Sequence, residues 1–274
     1  MKNKQIPHEA LADTVEKTSE SFVSGNSLLI QKRKNNLLLL LSGIFITNAI
    51  VAEIIGVKIF SLEKSLSLPP AGLKLFADFI LDFNLTSGAV IWPVIFLTTD
   101  IINEYFGKSG VKKISFLATG LIIYVFAVLS VTIWLEPAEF WIQIHRGEDN
   151  FNINFAFSKI FGQGTNIIIG SVTAFLISQL LDAYLFQYIR KKTNGKLIWL
   201  RATGSTVISQ ILDSFLVLFL AFYLLPEEGK WPLALVFSVG IINYMVKLSL
   251  AIVLTPLIYL AHSLIDGYLY LNKP

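Results

Sequence analysis

From residue 37 onward the chain is a succession of long apolar runs separated by short polar stretches. The runs are 37–60, 88–106, 114–135, 162–189, 201–225 and 233–261. A bilayer core about 30 Å thick takes about 20 residues of helix, and each run has that length or nearly so. One buried helix of a soluble protein imitates one such run. Six in succession predict an all-α polytopic membrane protein, a bundle of six transmembrane helices. The fourth run is long enough to tilt or project beyond the bilayer. Residues 1–36 are polar and lack a sustained apolar period, so they read as a mostly disordered tail. The expected organisation is a tail (1–36), a six-helix membrane domain (37–265) and a short second tail (266–274). No apolar core lies within the first 25 residues, which argues against a signal peptide.

Composition sharpens this picture. Hydrophobic residues make up 54% of the chain and charged residues 15%, against about 25% charge in a soluble domain. That is too little polar surface for a water-facing particle, and it excludes a disordered chain or a collagen-like fibre. There is no cysteine, so disulfides, thiolate metal sites and Cys nucleophiles are excluded. The net charge of +3 is small and does not by itself point to nucleic acid. Its distribution says more. With the N-terminus inside, segments 1–36, 107–113, 190–201 and 262–274 hold 15 of the 22 Lys and Arg, and the outer segments 61–87, 136–161 and 226–232 hold five. Basic residues favour the cytoplasmic face, so both termini are expected to be cytoplasmic. The outer loops carry apolar and aromatic residues such as Leu66, Leu75, Phe76, Phe140, Trp141 and Phe155. These suit short interfacial helices or folded-back segments, with Pro69-Pro70 dividing the first loop.

The chemistry lies in ionisable residues inside the runs: Glu53, Asp100, Glu104, Asp182, Asp213 and Lys247, with Lys58 near an end. A central charge costs about 2.5–3.5 kcal/mol on insertion scales, so these groups should face the bundle interior, pair, hold protons or line a wet cavity. Glu53 and Lys58 lie toward the outer end, where a long side chain reaches the interface. In the second run Pro93, Phe96, Asp100, Asn103 and Gly107 fall on one helix face, with Glu104 flanking it. Pro93 should open the helix one turn earlier, and Gly107 should end it. The fourth and fifth runs repeat one another: Ile177-Ser-Gln-Leu-Leu-Asp182-Ala-Tyr-Leu-Phe186 matches Ile208-Ser-Gln-Ile-Leu-Asp213-Ser-Phe-Leu-Val217 at six of ten positions. Helices joined by a short loop are antiparallel, so the copies point opposite ways, as in the inverted repeats of transport sites. Ser178 shares a face with Asp182, and Ser209 with Asp213. Hydrogen bonding that only locks helices together is the plainer reading of these groups. Lys247, with Asn243 and Tyr244 on the same face, is the one base in the middle of a run, and should pair with one of the inner carboxylates. The acids left over could bind and release a proton.

The motif Trp92-Pro-Val-Ile-Phe-Leu-Thr-Thr-Asp100-Ile-Ile-Asn103-Glu104-Tyr-Phe-Gly107, the paired Ser-Gln-x-x-Asp stretches, and Asn243, Lys247 and Pro256 in the last run resemble the queuosine-precursor transporters. These are six-helix inner-membrane proteins of bacteria, of the vitamin-uptake-transporter type. The likeness covers roughly residues 37–265. It implies import of 7-deazaguanine bases, 7-cyano-7-deazaguanine and 7-aminomethyl-7-deazaguanine, for salvage into a modified tRNA base. It also implies that Asp100, Glu104, Gln179, Asp182, Gln210 and Asp213 lie near the substrate. The residues suit such a ligand. A carboxylate accepts two adjacent N–H donors, a Gln amide serves the carbonyl edge, and Trp92, Phe96, Tyr105 or Tyr244 can stack on a flat face. Asn243 and Lys247 complete the candidate set. The expected partners are the small base and the lipid bilayer, with no nucleic acid and no cofactor; a homo-oligomer is left open.

Two other readings compete. A substrate-binding subunit of a multi-subunit vitamin importer would also have six helices. Small residues four apart on its first helix would dock a partner; Ala49, Ala52 and Gly56 match that in part. An intramembrane aspartyl protease could be built on Asp182 and Asp213. No Gly-x-Gly-Asp, His-Glu-x-x-His, Gly-x-Ser-x-Gly or phosphate-binding loop occurs, and His8, His145 and His262 are far apart in the chain. The expectation is a transporter and not an enzyme.

Overall fold

The computed structural model describes residues 8–74, 79–144, 151–162 and 164–269. Among them, five helical stretches are long and apolar enough to cross a membrane. They belong to α1 (His8–Ile55), α3 (Trp92–Trp134), α5 with α6 (Ile153–Phe161 and Thr165–Lys192), α7 (Ile198–Leu218) with the π-helical turn Phe219–Leu224, and α8 (Leu233–Leu269).

The second and third apolar runs lie in one helical element. At about 1.5 Å per residue a straight α3 would be about 64 Å long, twice the bilayer core. It is not straight. Gly107 has φ 68° and ψ −176°, outside the helical region. A Cβ on Gly110 would lie 3.5 Å from Ile102 Cγ2, although eight residues along an intact helix span about 12 Å. The chain therefore doubles back at Gly107. Leu37, Leu41, Phe45 and Ala49 of α1 share one core with Ile95, Ile101 and Ile102 before the break and Val111, Ile114 and Ala118 after it. Pro93 has a different role from the one its sequence suggests. It sits in the first turn of α3, where its missing N–H would have had no partner anyway, so it starts the helix and opens nothing.

The first helix begins at His8, so residues 8–36 have helical backbone where low hydropathy suggests a mostly disordered tail. Once the apolar part forms a helix, each further residue adds a hydrogen bond without a new nucleation cost. No proline interrupts residues 8–55. Arg33 Nη1 donates to the carbonyl of Tyr268 at 3.1 Å, so the start of the apolar part of α1 meets the end of α8.

The loop between α1 and α3 folds back on itself as expected. Strand β1 (Ile59–Ser61) pairs antiparallel with β4 (Asn84–Thr86), and β2 (Leu73–Lys74) with β3 (Ile80–Leu81). Between β1 and β2 lies the single turn α2 (Leu62–Ser65). Glu63 organises it, accepting from the Phe83 N–H at 2.6 Å and the Ser61 hydroxyl at 3.2 Å. Burial pushes its carboxyl up, but the hydrogen bonds from Phe83, its own backbone, Ser61 and Ala71 outweigh this and hold it below the ordinary value of 4.5. The segment between α3 and α6 contains the short helix α4 (Glu139–Ile144), and α5 leaves Phe155 and Ile160 exposed, as an interfacial helix would. Leu75, Phe76 and His145 lie outside the described residues.

The small residues of α1 are used within the chain. Ala49 is buried, and a Cβ on Gly88 would lie 2.8 Å from the Ala52 carbonyl oxygen. That stripe packs against this chain's own turn before α3.

Candidate functional site

The polar interior is a ladder along α6 and α7, the most extensively packed helix pair. Because the helices are antiparallel, residue numbers rise on one as they fall on the other. Successive rungs are one turn or more apart, about 6 Å.

At the rung near the C-terminal end of α7, Lys247 of α8 forms an ion pair with Asp213 of α7. Its ammonium also sits 4.4 Å from the ring centroid of Trp92, a cation–π contact. The Ser178 hydroxyl of α6 donates to the other Asp213 oxygen at 3.1 Å. Nearby, Ser171 donates to Glu53 at 2.9 Å. Glu53 is thus turned to α6 and does not reach outward, whereas Lys58 is exposed.

At the middle rung, Asp182 of α6 accepts from Ser209 at 3.0 Å and Thr206 at 3.4 Å, both on α7. The two repeat copies therefore trade partners. Ser178 of the first copy bonds Asp213 of the second, and Ser209 of the second bonds Asp182 of the first. The i,i+4 spacing puts each serine on the face of its own aspartate; the pairing across helices is visible only once the antiparallel register is set. Asp100 of α3 lies at this level and is 4% exposed; its Oδ1 has no hydrogen-bond partner among the described residues. It lines a small crevice with Phe96, Thr203, Thr206, Ala251 and Leu254. The free space there is about 10 Å³, enough for about one water molecule. Thr99 donates to Gln179 Oε1 at 3.3 Å. Asn103 is locked to α6, donating to the Ala183 carbonyl at 3.3 Å and accepting from Gln187 at 2.8 Å.

At the other end, Glu104 holds two arginines, Arg190 at 3.2 Å and Arg201 at 2.8 Å. Arg201 is 2% exposed and also donates to the Gly195 carbonyl at 2.7 Å. Beside them the Tyr105 hydroxyl meets His262 Nδ1 at 3.1 Å and donates to Asp266 at 2.9 Å.

The structure thus brings Asp100, Gln179, Asp182, Asp213, Lys247 and Phe96 into one connected interior. Gln210 is buried on α7. Asn243 and Tyr244 are half-buried on α8. Glu104 belongs to the arginine cluster at the far end. Lys247 pairs with an inner carboxylate as expected, and the carboxylate is Asp213. Sequence reasoning overlooked Arg190 and Arg201, which count in the sequence only as loop charges. The available signal was that Arg201 opens an apolar run while Glu104 closes another. Among the described residues no three His, Asp or Glu side chains gather as a metal site.

The family described as "Putative vitamin uptake transporter" matches residues 86–261, the stretch that carries all of these polar residues except Glu53, His262 and Asp266. A relative from Bacillus subtilis (strain 168), "Probable queuosine precursor transporter", is 30% identical over 188 residues, 68% of this chain and 76% of the relative. One of the same name from Haemophilus influenzae (strain ATCC 51907 / DSM 11121 / KW20 / Rd) is 29% identical over 63% of this chain and 66% of its own. The Escherichia coli (strain K12) "Queuosine precursor transporter" is 26% identical over 64% of this chain and 71% of its own. No solved structure matches. These are transporters and not enzymes, which removes the protease reading. The chain belongs to the queuosine precursor transporter family, of the vitamin uptake transporter type.

Proposed function

We propose that the protein imports queuosine precursors, the 7-deazaguanine bases, across the bacterial inner membrane for salvage into tRNA modification. The observation that carries this reading is the convergence of acids and amides from α3, α6 and α7 inside an apolar bundle, in a chain whose relatives are named for that substrate. The base would sit at the middle rung. Asp100 and Asp182 would accept its adjacent N–H donors, Gln179 and Gln210 would serve its carbonyl edge, and Phe96 would stack on its face. Asp213, Lys247, Asn243 and Tyr244 would close the site from the outer side, and Glu104 with its arginines from the inner side. A crevice with room for one water is then an occluded state, and helices must separate before the base enters.

In this reading the halves of α3 on either side of Gly107 are separate crossings, which makes six. Two features support an even number: the doubling back at Gly107, and the contact of Arg33 with Tyr268, which brings the two ends of the bundle domain together. The excess of basic residues at that end supports a cytoplasmic position for it.

The test is uptake of labelled 7-cyano-7-deazaguanine by purified protein in liposomes, with binding of the same base in detergent. Faster entry than in empty liposomes is expected. Asp100→Asn swaps an acceptor for a donor at a ligand position. It should lose at least tenfold in affinity, about 1.4 kcal/mol, at normal membrane levels. A protein that neither binds nor moves the base would sink this reading.

A further inference from the structure

We infer that Asp100 and Asp182 share one proton in the resting protein, and that this proton crosses the membrane together with the substrate. The inference rests on the transport reading above and adds its energy source.

The basis is how the interior charges are matched. Among the described residues, five carboxylates from α1, α3, α6 and α7 line the bundle: Glu53, Asp100, Glu104, Asp182 and Asp213. Three cations face them, and each is engaged elsewhere. Arg190 and Arg201 hold Glu104, and Lys247 holds Asp213. From α8 the remaining groups are His262 and Asp266, both tied to Tyr105 at the arginine end. Asp100 and Asp182 are 4% and 6% exposed, and among the described residues neither has a cation within ion-pair distance. Thr206 links the two acids, donating to Asp182 and lining the crevice with Asp100; ionised carboxylates buried so without a cation carry a large desolvation cost. A single shared proton removes most of it.

The hydrogen bonds divide the roles. Asp182 accepts from two hydroxyls, Ser209 and Thr206, the environment of an ionised carboxylate. Asp100 has an orphan oxygen in a crevice wide enough for one water, the environment of an acid that exchanges its proton with solvent. The repeat gives the comparison. Asp213 occupies the position equivalent to Asp182 and accepts the equivalent serine bond, but it also has Lys247. One copy of the motif is thus neutralised by a fixed cation and the other by a mobile one. The transfer forms and breaks only O–H bonds. Water on the outer side gives a proton to the aspartate pair, and water on the cytoplasmic side receives it.

The test uses full-length protein in liposomes that enclose a pH-sensitive dye, in sodium-free buffer, with neutral 7-cyano-7-deazaguanine added outside. The interior should acidify as the base enters, with one proton per base. With equal potassium on both sides and valinomycin present to hold the membrane potential at zero, an acid-outside gradient of one pH unit should concentrate the base inside about tenfold, and a protonophore should abolish the excess. Entry at an unchanged rate with no interior pH change, or accumulation that follows sodium, overturns the inference and leaves the transport reading standing. Absence of any entry counts against transport itself. A substrate-free measurement then decides the proton: an infrared carboxylic-acid C=O band at neutral pH, shifted in D2O and lost in Asp100→Asn. Asp182→Asn serves if Asp100→Asn does not reach the membrane. No such band in the parent protein overturns the shared proton.

Discussion

At the scale of single residues, the ion pair of Lys247 with Asp213 is the clearest case of two groups that need one another. Lys247 is buried and has two partners, the carboxylate and the Trp92 ring. Lys247→Met leaves Asp213 charged in an apolar bundle. Breaking such a pair costs about 3–5 kcal/mol, so membrane yield and thermal stability in detergent should fall. The double variant Lys247→Met with Asp213→Asn removes both charges and should recover yield. Recovery of yield without recovery of uptake would place the pair in the transport site as well as in the fold; a double variant as unstable as the single would show that the cost is packing and not charge. The sequence made it legible that Lys247 needs an acid, because a lone base in mid-run has no other stable fate. It did not make legible which acid, since four candidates lie at similar depths and only the register of α7 against α8 selects Asp213. The same limit hid Arg201. Its burial depends on Glu104 reaching it from α3, and nothing within 201–225 announces that contact.

At the scale of elements, the apolar runs were readable because bilayer thickness fixes their length. The details at their ends were not, because local backbone decides them. Gly107 is an instance. Its φ of 68° with ψ near 180° is a conformation only glycine adopts cheaply, and a Cβ there meets nothing within 4 Å. Gly107→Ala therefore tests backbone strain alone and should cost about 1–3 kcal/mol, read as a lower melting temperature in detergent; an unchanged melting temperature would mean that the break is not strained. The loop between α1 and α3 offers a second test. Glu63 is held below its ordinary value by hydrogen bonds that favour the ionised form. Its contribution to the loop is therefore complete above the unfolded value of about 4.5 and is lost as pH falls through the lower folded value. Acid-stable protease digestion should cut within 59–86 only at strongly acidic pH in the parent protein. Glu63→Gln should be cut there at neutral pH too, since it cannot accept the Phe83 and Ser61 bonds as an anion. Equal cutting of the two at neutral pH would count against the role of Glu63. The sequence suggested a folded-back loop from its aromatic residues, but the strand pairing depends on Glu63 reaching Phe83, twenty residues away, a contact no local pattern encodes.

At the scale of the whole molecule, the number of crossings decides what every other feature means. With five, the N- and C-termini would lie on opposite sides and Ser109 would sit inside the bilayer, where Lys108, Lys112 and Lys113 beside it would be costly. With six, the chain reverses at Gly107 and these lysines enter the cytoplasm with the other basic segments. The two cases separate by labelling. The chain has no cysteine, so single cysteines report without background. Ser109 and Lys196 are exposed at basic turns, and Glu228 at an acidic one. Cysteine at 228 should react with a membrane-impermeant maleimide in intact cells. Cysteines at 109 and 196 should react only after the cells are opened, and a tag on either terminus should be cleaved only then. The inverted repeat makes this more than bookkeeping of sides. Ser178 bonds Asp213 and Ser209 bonds Asp182 because α6 and α7 run in opposite directions, so the two aspartates sit at different depths, one backed by Lys247 and the other bonded to Thr206 of the crevice that Asp100 lines. If 228 is outside, the fixed Asp213–Lys247 pair is the rung nearer the outer water and the Glu104 arginine cluster the rung nearer the cytoplasm, with the uncompensated aspartates between them. Labelling of position 196 in intact cells would reverse that order, and with it the direction in which base and proton meet the two closed ends.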